Sequence, residues 1–491
     1  MIKKRFLALF LGLNFSLGFA PFDIWILSLI SIFFVLYLLE VPTTREIISL
    51  GFYFGIGMWS LGISWVFVSI YYHGDINIIY SILITLLFII LLSLFNSITF
   101  LLYALSKTSN AVLSILFILP FSWLVVELIR SNIFTGFPWL ITGSIFSDSI
   151  IDSWIPILGA QATGYFALFL PGLFYLILNS TRDSKISFIS IAGIFFVLTL
   201  VLDEIKWTKK TDEIDVLIVQ PNLSLKDKWS WKGLNHTKEL IENSIETSSD
   251  GTLIVFPETA LILEQKELEE WINKINTEAS KKNISLLTGI VERKEPKFIM
   301  NRVMGIGLAK GNYDKRQLVP FGEYVPLERY LGNILDFLSL ELTNTISGKD
   351  NQAIYLDGKS ISVNICYEIA FSELVRKDTH DKGIIITVSN DTWFGDSFGP
   401  YQHLEIAQTR ALENGKFVIR STSSGISAII DDKGRILSNL MNFKGSYLED
   451  KAFFMIGNTP YSSLGQIPLY LYFIIVLFYI IMAKLTDFRR R

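Results

Sequence analysis

The sequence predicts a membrane protein that carries a separate α/β domain. Hydrophobic residues make up 51% of the 491 residues and charged residues only 18%, whereas soluble globular chains carry about 25% charged residues. The apolar residues are concentrated in long blocks, except between residues 204 and 465, where short β-branched runs alternate with helical stretches. We therefore expect a membrane domain over 1–203, an α/β domain over 204–465, and a last helix with a basic tail over 466–491.

Eight apolar blocks predict transmembrane helices, because about 18 apolar residues with few charges span the hydrocarbon core of a bilayer. The blocks lie at about 5–20, 23–40, 48–71, 78–105, 110–129, 157–179, 186–203 and 466–484. The first block also resembles a signal peptide, since basic residues precede it and Ala20 ends it. We favour a retained helix because Pro21 follows directly and the second block begins at once.

The basic residues predict the orientation of these helices. One side of the predicted membrane domain carries Lys3, Lys4, Arg5, Arg45, Lys107, Arg182, Lys185, Arg489, Arg490 and Arg491. The opposite short loops have almost none, with Arg130 as the exception. Positive charge marks the cytoplasmic side. We expect both termini in the cytoplasm and residues 204–465 on the outer side, which for a protein of the bacterial inner membrane is the periplasm.

The composition does not indicate a metal, a cofactor or nucleic acid. The four histidines are scattered without metal-ligand spacing at His73, His236, His380 and His403. The sequence contains no glycine-rich phosphate loop and no basic patch interleaved with aromatic residues. The net charge of −3 says nothing about partners.

Several polar residues follow predicted strands of the α/β domain. The strands are expected at 215–219, 252–256, 284–290, 361–365, 383–388, 417–420 and 426–430, with helices at 266–281 and 401–413. Glu258, Cys366 and Asn390 come just after the ends of three of these strands. Open α/β sheets place their active sites at such ends. The three residues are therefore candidates for a common site.

Cys366 is the single cysteine of the chain. A free cysteine is commonly a small buried hydrophobe, and Glu258 or Lys315 taken alone would be an ordinary surface charge. Their order along the chain favours a nucleophile, because a thiol becomes reactive when a base removes its proton. Glu258 is the candidate base. Lys315 is the candidate cation that lowers the thiol pKa and stabilises an oxyanion.

These segments resemble the nitrilase, or carbon–nitrogen hydrolase, superfamily. The similarity lies in Phe-Pro-Glu ending at Glu258, Lys315 before Leu-Val-Pro-Phe-Gly-Glu, and Cys-Tyr-Glu beginning at Cys366. With its membrane spans, the chain resembles the apolipoprotein N-acyltransferase family over nearly its whole length. The segments 18–22, 136–140 and 389–396 are similar to the family's membrane-domain and late-loop signatures, as are 410–413 and 420–422. Around 141–143 the chain departs from the commoner pattern, which leaves details of substrate binding or helix packing open.

The resemblance implies a nitrilase-like αββα sandwich inserted between transmembrane helices 7 and 8 of an eight-helix membrane domain. It implies a triad of Glu258, Lys315 and Cys366. It gives supporting or site-lining roles to Glu323, Glu368, Tyr367 and Trp229. The late loop adds possible substrate-binding residues at Asn390, Trp393 and Phe394.

The resemblance also implies the reaction. Cys366 would take an acyl chain from a phospholipid as a thioester and pass it to the α-amine of a diacylglyceryl-modified N-terminal cysteine of an apolipoprotein. A covalent acyl-enzyme predicts ping-pong kinetics. We expect no cofactor and a monomeric enzyme.

An apolar stretch at 327–338 has helical, amphipathic spacing and includes Leu331 and Phe337. Ordinary packing explains such a pattern. The alternative is a lid or interfacial helix that admits acyl chains.

Two other functions remain open from the residues alone. In a membrane-anchored amidase, water would resolve the thioester, and the triad does not distinguish water from an amine. A transporter or lipid-binding scaffold would predict polar groups facing each other inside the spans. The predicted spans are nearly free of charge, which argues against the second alternative.

Overall fold

The computed structural model describes residues 1–40, 43–74, 76–295, 298–324, 345–350 and 352–489. The chain forms two compact units. One comprises Met1–Phe67, Asn77–Lys206 and Ser463–Arg491, and the other comprises Val68–Ile76 and Trp207–Ser462. The second unit thus takes in a short segment that overlaps the third apolar block of the sequence, which the division at residues 203 and 204 did not anticipate.

The first unit is helical. Its α-helices before residue 207, with α4 running across the division, are α1 (Ile2–Ser16), α2 (Trp25–Leu38), α3 (Thr44–Gly62), α4 (Trp65–Val68), α5 (Ile78–Ser106), α6 (Ala111–Leu113), α7 (Leu119–Asn132), α8 (Ile155–Thr163), α9 (Tyr165–Asn179) and α10 (Arg182–Asp203). In the described part of the chain, four helices are long and apolar enough to cross a membrane, or six if each of two bent pairs is one span. The block predicted at 48–71 is interrupted after Gly62, where Ile63 leaves helical geometry with φ −123° and ψ 24°. The count of eight spans stays a prediction.

Glycines allow α1 and α3 to pack closely. A β-carbon added at Gly12 would lie 1.9 Å from the Phe54 main-chain oxygen, and one at Gly57 would lie 2.0 Å from the Leu9 main-chain oxygen. Both positions therefore exclude any side chain. Small residues that bring helix backbones together are typical of helix pairs in membranes.

The second unit contains two sheets of mixed parallel and antiparallel strands. The strands are β1 (Lys209–Gln220), β2 (Leu253–Val255), β3 (Leu261–Glu264), β4 (Ser285–Glu295), β5 (Phe298–Gly307), β6 (Ala309–Lys310), β7 (Asn312–Asp314), β8 (Ile354–Leu356), β9 (Lys359–Ile365), β10 (Ile384–Ser389), β11 (Phe417–Thr422), β12 (Ser427–Ile430), β13 (Ile436–Leu440) and β14 (Ser446–Ile456). Among the described residues, one sheet has the order β14-β1-β2-β4-β5-β7 with β3 beside β4. The other has the order β13-β12-β11-β10-β9-β8-β6. All seven predicted strands fall on observed strands.

The side chains of β1 alternate between two hydrophobic cores, which shows how the layers form. Val216 and Ile218 belong to the core between the two sheets, whereas Leu217 and Val219 belong to a second core beneath helices. Successive side chains of a strand point to opposite faces, so a strand with both faces buried is apolar at every position.

Helices cover the outer faces of both sheets. The helices of this unit and the one that follows it are α11 (Leu225–Lys228), α12 (Trp231–Thr247), α13 (Glu269–Lys281), α14 (Ser372–Thr379), α15 (Gly399–Asn414), α16 (Pro460–Leu464) and α17 (Ile467–Arg489). Apolar residues of α12 and α13 pack on the first sheet, while α14 contacts β9 and α15 contacts β11 of the second. The result is the α-β-β-α layering of the predicted sandwich, with the ends of β2, β9 and β10 carrying the candidate residues.

Candidate active site

Cys366 directly follows β9 and has a main-chain φ of +53°. A residue with a β-carbon rarely adopts this left-handed conformation, which costs conformational energy and occurs preferentially at functional sites. The sharp turn ends the strand and begins a short 3₁₀ segment, Cys366–Ala370. Cys366 is a free, half-buried cysteine.

Glu258 is buried just beyond the end of β2, with 6% of its surface exposed. Its Oε1 accepts a hydrogen bond from Asn301 Nδ2 at 2.6 Å, and its Oε2 accepts one from the main-chain N–H of Asn390 at 2.7 Å. These donors arrive from β5 and from the end of β10, so both sheets orient the carboxylate. These hydrogen bonds fix the orientation of the Glu258 carboxylate.

Lys315 follows β7 and is also buried. Its Nζ lies 2.8 Å from Glu323 Oε1 and 3.4 Å from Glu258 Oε1. Burial alone would lower the pKa of Lys315, but the carboxylates of Glu323 and Glu258 outweigh burial and raise that pKa well above its usual value. Glu323 is itself held by the main-chain N–H of Val319, which donates to its Oε2 at 2.8 Å. Lys315 therefore stays cationic at every physiological pH.

The thiol of Cys366 is neutral at rest. Desolvation raises its pKa to about 12, the charge of Glu258 adds to the increase, and Lys315 and a hydrogen bond with Ser389 oppose it. A thiolate is the reactive form of cysteine, so a nucleophilic Cys366 would need a nearby group to accept its proton. Glu258 and Lys315 are near enough to act on the thiol electrostatically.

Glu368 is fully buried and ties three parts of the site together. Its Oε1 accepts the main-chain N–H groups of Arg316 at 2.6 Å and Gln317 at 3.1 Å. Its Oε2 accepts the N–H of Ile365 at 2.7 Å and the hydroxyl of Tyr313 at 3.0 Å. Burial raises the pKa of Glu368, and these N–H groups counter the increase. The bonds fix the residues that precede Cys366 and follow Lys315.

The late loop contributes its backbone more than its side chains. The N–H of Asn390 is the donor to Glu258 described above, and its side-chain oxygen accepts from Thr392 Oγ1 at 2.8 Å. The ring of Phe394 packs edge-on against His403 with centroids 5.7 Å apart. Both predicted residues are thus part of the frame around the site.

Three predicted aromatic residues lie closer to the surface. Trp229 is 55% exposed and Trp393 is 46% exposed. Tyr367 is half-buried and packs edge-on against Phe371 with centroids 5.0 Å apart. These positions suit contact with a substrate. Leu331 and Phe337, predicted on a lid helix, lie outside the described residues.

A buried cluster next to Cys366 was not predicted from the sequence. His403 Nδ1 lies 3.0 Å from Asp391 Oδ1 and 3.1 Å from Arg420 Nη2, and His403 Nε2 lies 3.3 Å from the main-chain oxygen of Cys366. Burial and Arg420 lower the pKa of His403, so the ring is mainly neutral near pH 7. The signal available in the sequence was the histidine in the predicted helix 401–413, which has no metal-ligand spacing. Within the described ranges, no group of three or more His, Cys, Asp or Glu residues could hold a metal ion.

Comparison with known proteins agrees with this geometry. Residues 216–447 match the carbon-nitrogen hydrolase family, and residues 11–173 match the N-terminal domain of apolipoprotein N-acyltransferase. The second unit is therefore a nitrilase-like carbon–nitrogen hydrolase fold, and the chain combines it with several apolar helices.

Similar curated proteins extend the match over nearly the whole chain. The apolipoprotein N-acyltransferase of Photobacterium profundum is 32% identical over 496 residues, which cover 96% of this chain and 95% of that protein. That of Wigglesworthia glossinidia brevipalpis is 34% identical, covering 97% of both. The chain belongs to the apolipoprotein N-acyltransferase family, and the resemblance seen in the sequence is confirmed.

Two solved structures are also similar to part of the chain. Nit3 of Saccharomyces cerevisiae, a member of branch 10 of the nitrilase superfamily, is 20% identical, with a TM-score of 0.39, covering 53% of this chain and 96% of Nit3. An amidase from Nesterenkonia with one cysteine replaced by alanine is 15% identical, with a TM-score of 0.38, covering 54% of this chain and 98% of the amidase.

Proposed function

We propose that this protein transfers an acyl chain from a phospholipid to the α-amine of the N-terminal diacylglyceryl-cysteine of apolipoproteins, through a thioester on Cys366. The observation that carries the proposal is the arrangement of Glu258 and Lys315 around a neutral thiol on a left-handed turn. Membership of the family supports the choice of donor and acceptor. The catalytic triad is Glu258, Lys315 and Cys366.

In the first half-reaction, Glu258 accepts the proton of the Cys366 thiol as the sulfur attacks the ester carbonyl of the phospholipid. Lys315 stabilises the oxyanion that forms, because it is a buried cation that keeps its proton. The ester C–O bond then breaks, and Glu258 returns the proton to the leaving oxygen. Lysophospholipid departs, and a thioester remains on Cys366.

In the second half-reaction, the neutral α-amine of the acceptor attacks the thioester carbonyl. Glu258 accepts a proton from the amine, and Lys315 stabilises the second oxyanion. The C–S bond breaks, and Glu258 protonates the departing sulfur. An amide forms and the free thiol returns, so the enzyme is ready for another cycle. Two separate half-reactions predict ping-pong kinetics.

We also propose a topology and a division into domains. Eight spans would place both termini in the cytoplasm and the catalytic domain in the periplasm, which the distribution of basic residues supports. The catalytic domain would run over 204–465 between the membrane domain 1–203 and the last helix at 466–491, and the enzyme would act as a monomer. A periplasm-dependent reporter fused at residue 210 should be active. A fusion that behaves as cytoplasmic would contradict the topology.

The reaction is tested by mass spectrometry of the purified full chain, incubated first with phospholipid and then with a diacylated lipopeptide. We expect an acyl-mass adduct on Cys366 that moves to the peptide amine. An adduct that is lost only to water would instead indicate the hydrolase alternative. Acyl transfer that survives in Cys366→Ala would show that the nucleophile is another residue.

A further inference from the structure

A second buried lysine lies in the site. Lys228 ends the short helix α11 with only 5% of its surface exposed, and its Nζ donates a hydrogen bond to the main-chain oxygen of Glu258 at 2.9 Å. Within the described ranges this carbonyl is the only hydrogen-bond acceptor found for the ammonium group. Burying a cation is costly unless an opposite charge or several acceptors compensate. The position therefore calls for an explanation beyond packing.

Local structure turns Lys228 inward. Ser224 begins the turn, with its Oγ accepting the N–H of Asp227 at 3.1 Å and its main-chain oxygen accepting the N–H of Lys228 at 2.8 Å. The following helix packs directly on this turn, because a β-carbon at Gly233 would lie 2.1 Å from the main-chain oxygen of Asp227. Lys226, two residues earlier, is exposed. The chain thus buries one of two neighbouring lysines and leaves the other in solvent.

Glu258 and Cys366 are the ionisable groups that act on Lys228. Burial lowers the pKa of Lys228 to about 8, and the charges of Glu258 and Cys366 oppose that decrease. Cys366 in turn is acted on by Glu258, Lys315 and Asp391, and His403 contacts its main-chain oxygen. Lys228 therefore interacts with both partners of the proton transfer.

The net charge of the site indicates what Lys228 contributes. Two carboxylates, Glu258 and Glu323, face two ammonium groups, Lys315 and Lys228, so this set is neutral when all are ionised. Moving the thiol proton to Glu258 keeps the whole group neutral. Without the charge of Lys228, the same set would carry a net negative charge beside the thiol, and ionisation of Cys366 would become harder.

We propose that Lys228 is a positioning residue of the acyl transfer, which holds the backbone of Glu258 and supplies the second positive charge that makes ionisation of Cys366 possible. The inference rests on the proposed role of Cys366 as the nucleophile. It applies to both half-reactions, since sulfur is the attacking group in the first and the leaving group in the second.

The test is the pH profile of iodoacetamide alkylation of the full chain in detergent, which reports one thiol because Cys366 is the single cysteine. In Lys228→Met we expect the profile to shift by about one pH unit to higher pH, so that alkylation near pH 7.5 is about tenfold slower. Acyl-enzyme formation should fall in parallel. The matched control Lys226→Met should keep the wild-type profile. A wild-type profile in folded Lys228→Met would overturn the proposal.

A second variant covers the case in which Lys228→Met does not fold. The wild-type profile should flatten above pH about 8, where Lys228 loses its charge. Lys228→Arg keeps its charge, so its profile should rise through that range without flattening. Identical profiles for Lys228→Arg and wild type would contradict the proposal. Cys366→Ala distinguishes failure of the proposed function from failure of the role of Lys228. Retained acyl transfer in Cys366→Ala refutes the proposed function. Lost transfer in that variant, together with pH profiles that the Lys228 substitutions leave unchanged, refutes only the role of Lys228.

Discussion

Glu258 and Glu368 are two buried carboxylates of the candidate site, but their surroundings differ. Glu368 accepts four hydrogen bonds, three of them from main-chain N–H groups. Glu258 has one main-chain donor, and its other oxygen faces an amide and an ammonium group. We therefore expect a carboxylate held mostly by main-chain donors to stabilise geometry, and one held mostly by side chains to exchange a proton.

The largest effect is expected at Glu258. Glu258→Gln removes the proposed proton acceptor while keeping size and shape, so acyl-enzyme formation should fall by about 10² to 10⁴-fold. Mass spectrometry of the adduct after timed exposure to phospholipid measures this rate. Glu267→Gln, at an exposed carboxylate, should behave as wild type. More than a tenth of the wild-type rate in Glu258→Gln would mean that another group accepts the proton.

An intermediate effect is expected at Glu368, and it should appear first in stability. In Glu368→Gln, one carboxylate oxygen is replaced by an NH₂ group, which cannot accept a hydrogen bond. Each oxygen of Glu368 accepts at least one main-chain N–H. At least one such N–H therefore loses its acceptor, at a cost of about 1–3 kcal/mol. The midpoint of thermal inactivation in detergent should therefore fall, and activity should fall with it because residues beside Lys315 and Cys366 lose their anchor. Loss of activity at an unchanged midpoint would indicate that Glu368 takes a direct part in the chemistry. That result would contradict the difference proposed between Glu368 and Glu258.

The smallest effect is expected at Tyr313. Tyr313→Phe removes one of the four donors to Glu368 and the acceptor of Arg316 Nε, and it leaves the three main-chain N–H groups in place. Each of the two lost hydrogen bonds contributes about 0.5–1.5 kcal/mol, and only the bond to Glu368 bears on its anchoring, so activity should change by less than about tenfold. Comparison of Tyr313→Phe with Glu368→Gln tells whether the main-chain N–H groups account for most of the anchoring by Glu368. An effect as large as that of Glu368→Gln would show that they do not.

The sequence predicted strands correctly where the local residues strongly favour strand structure. The seven predicted strands are β-branched and apolar, and each was found. Seven of the described strands were not predicted. The two longest of these are β5, which contains methionine, asparagine, arginine and glycine, and β14, which has the charged run Glu449-Asp450-Lys451 in its middle. Such residues have little preference for strands. Pairing of β5 with β4 and of β14 with β1 overrides that preference.

Because β5 was not predicted, one residue of the candidate site was also missed. Asn301, which donates to Glu258, lies on that strand, and nothing in its local sequence marks it as functional. The cluster of Asp391, His403 and Arg420 was missed because its members come from a 3₁₀ segment, a helix and a strand that are distant in the sequence. Only the packing of these elements brings the three side chains together.

The amino-acid sequence alone determined the membrane character of the chain, its α/β domain, its family and the order of glutamate, lysine and cysteine. Those properties depend on composition and on short motifs, which need no knowledge of distant neighbours. Tertiary structure decided which charges are buried, which lysine of α11 faces Glu258, and how strongly desolvation opposes ionisation of Cys366. Burial and the electrostatic field at an atom are sums over residues far apart in the chain, and only the folded chain brings those residues together.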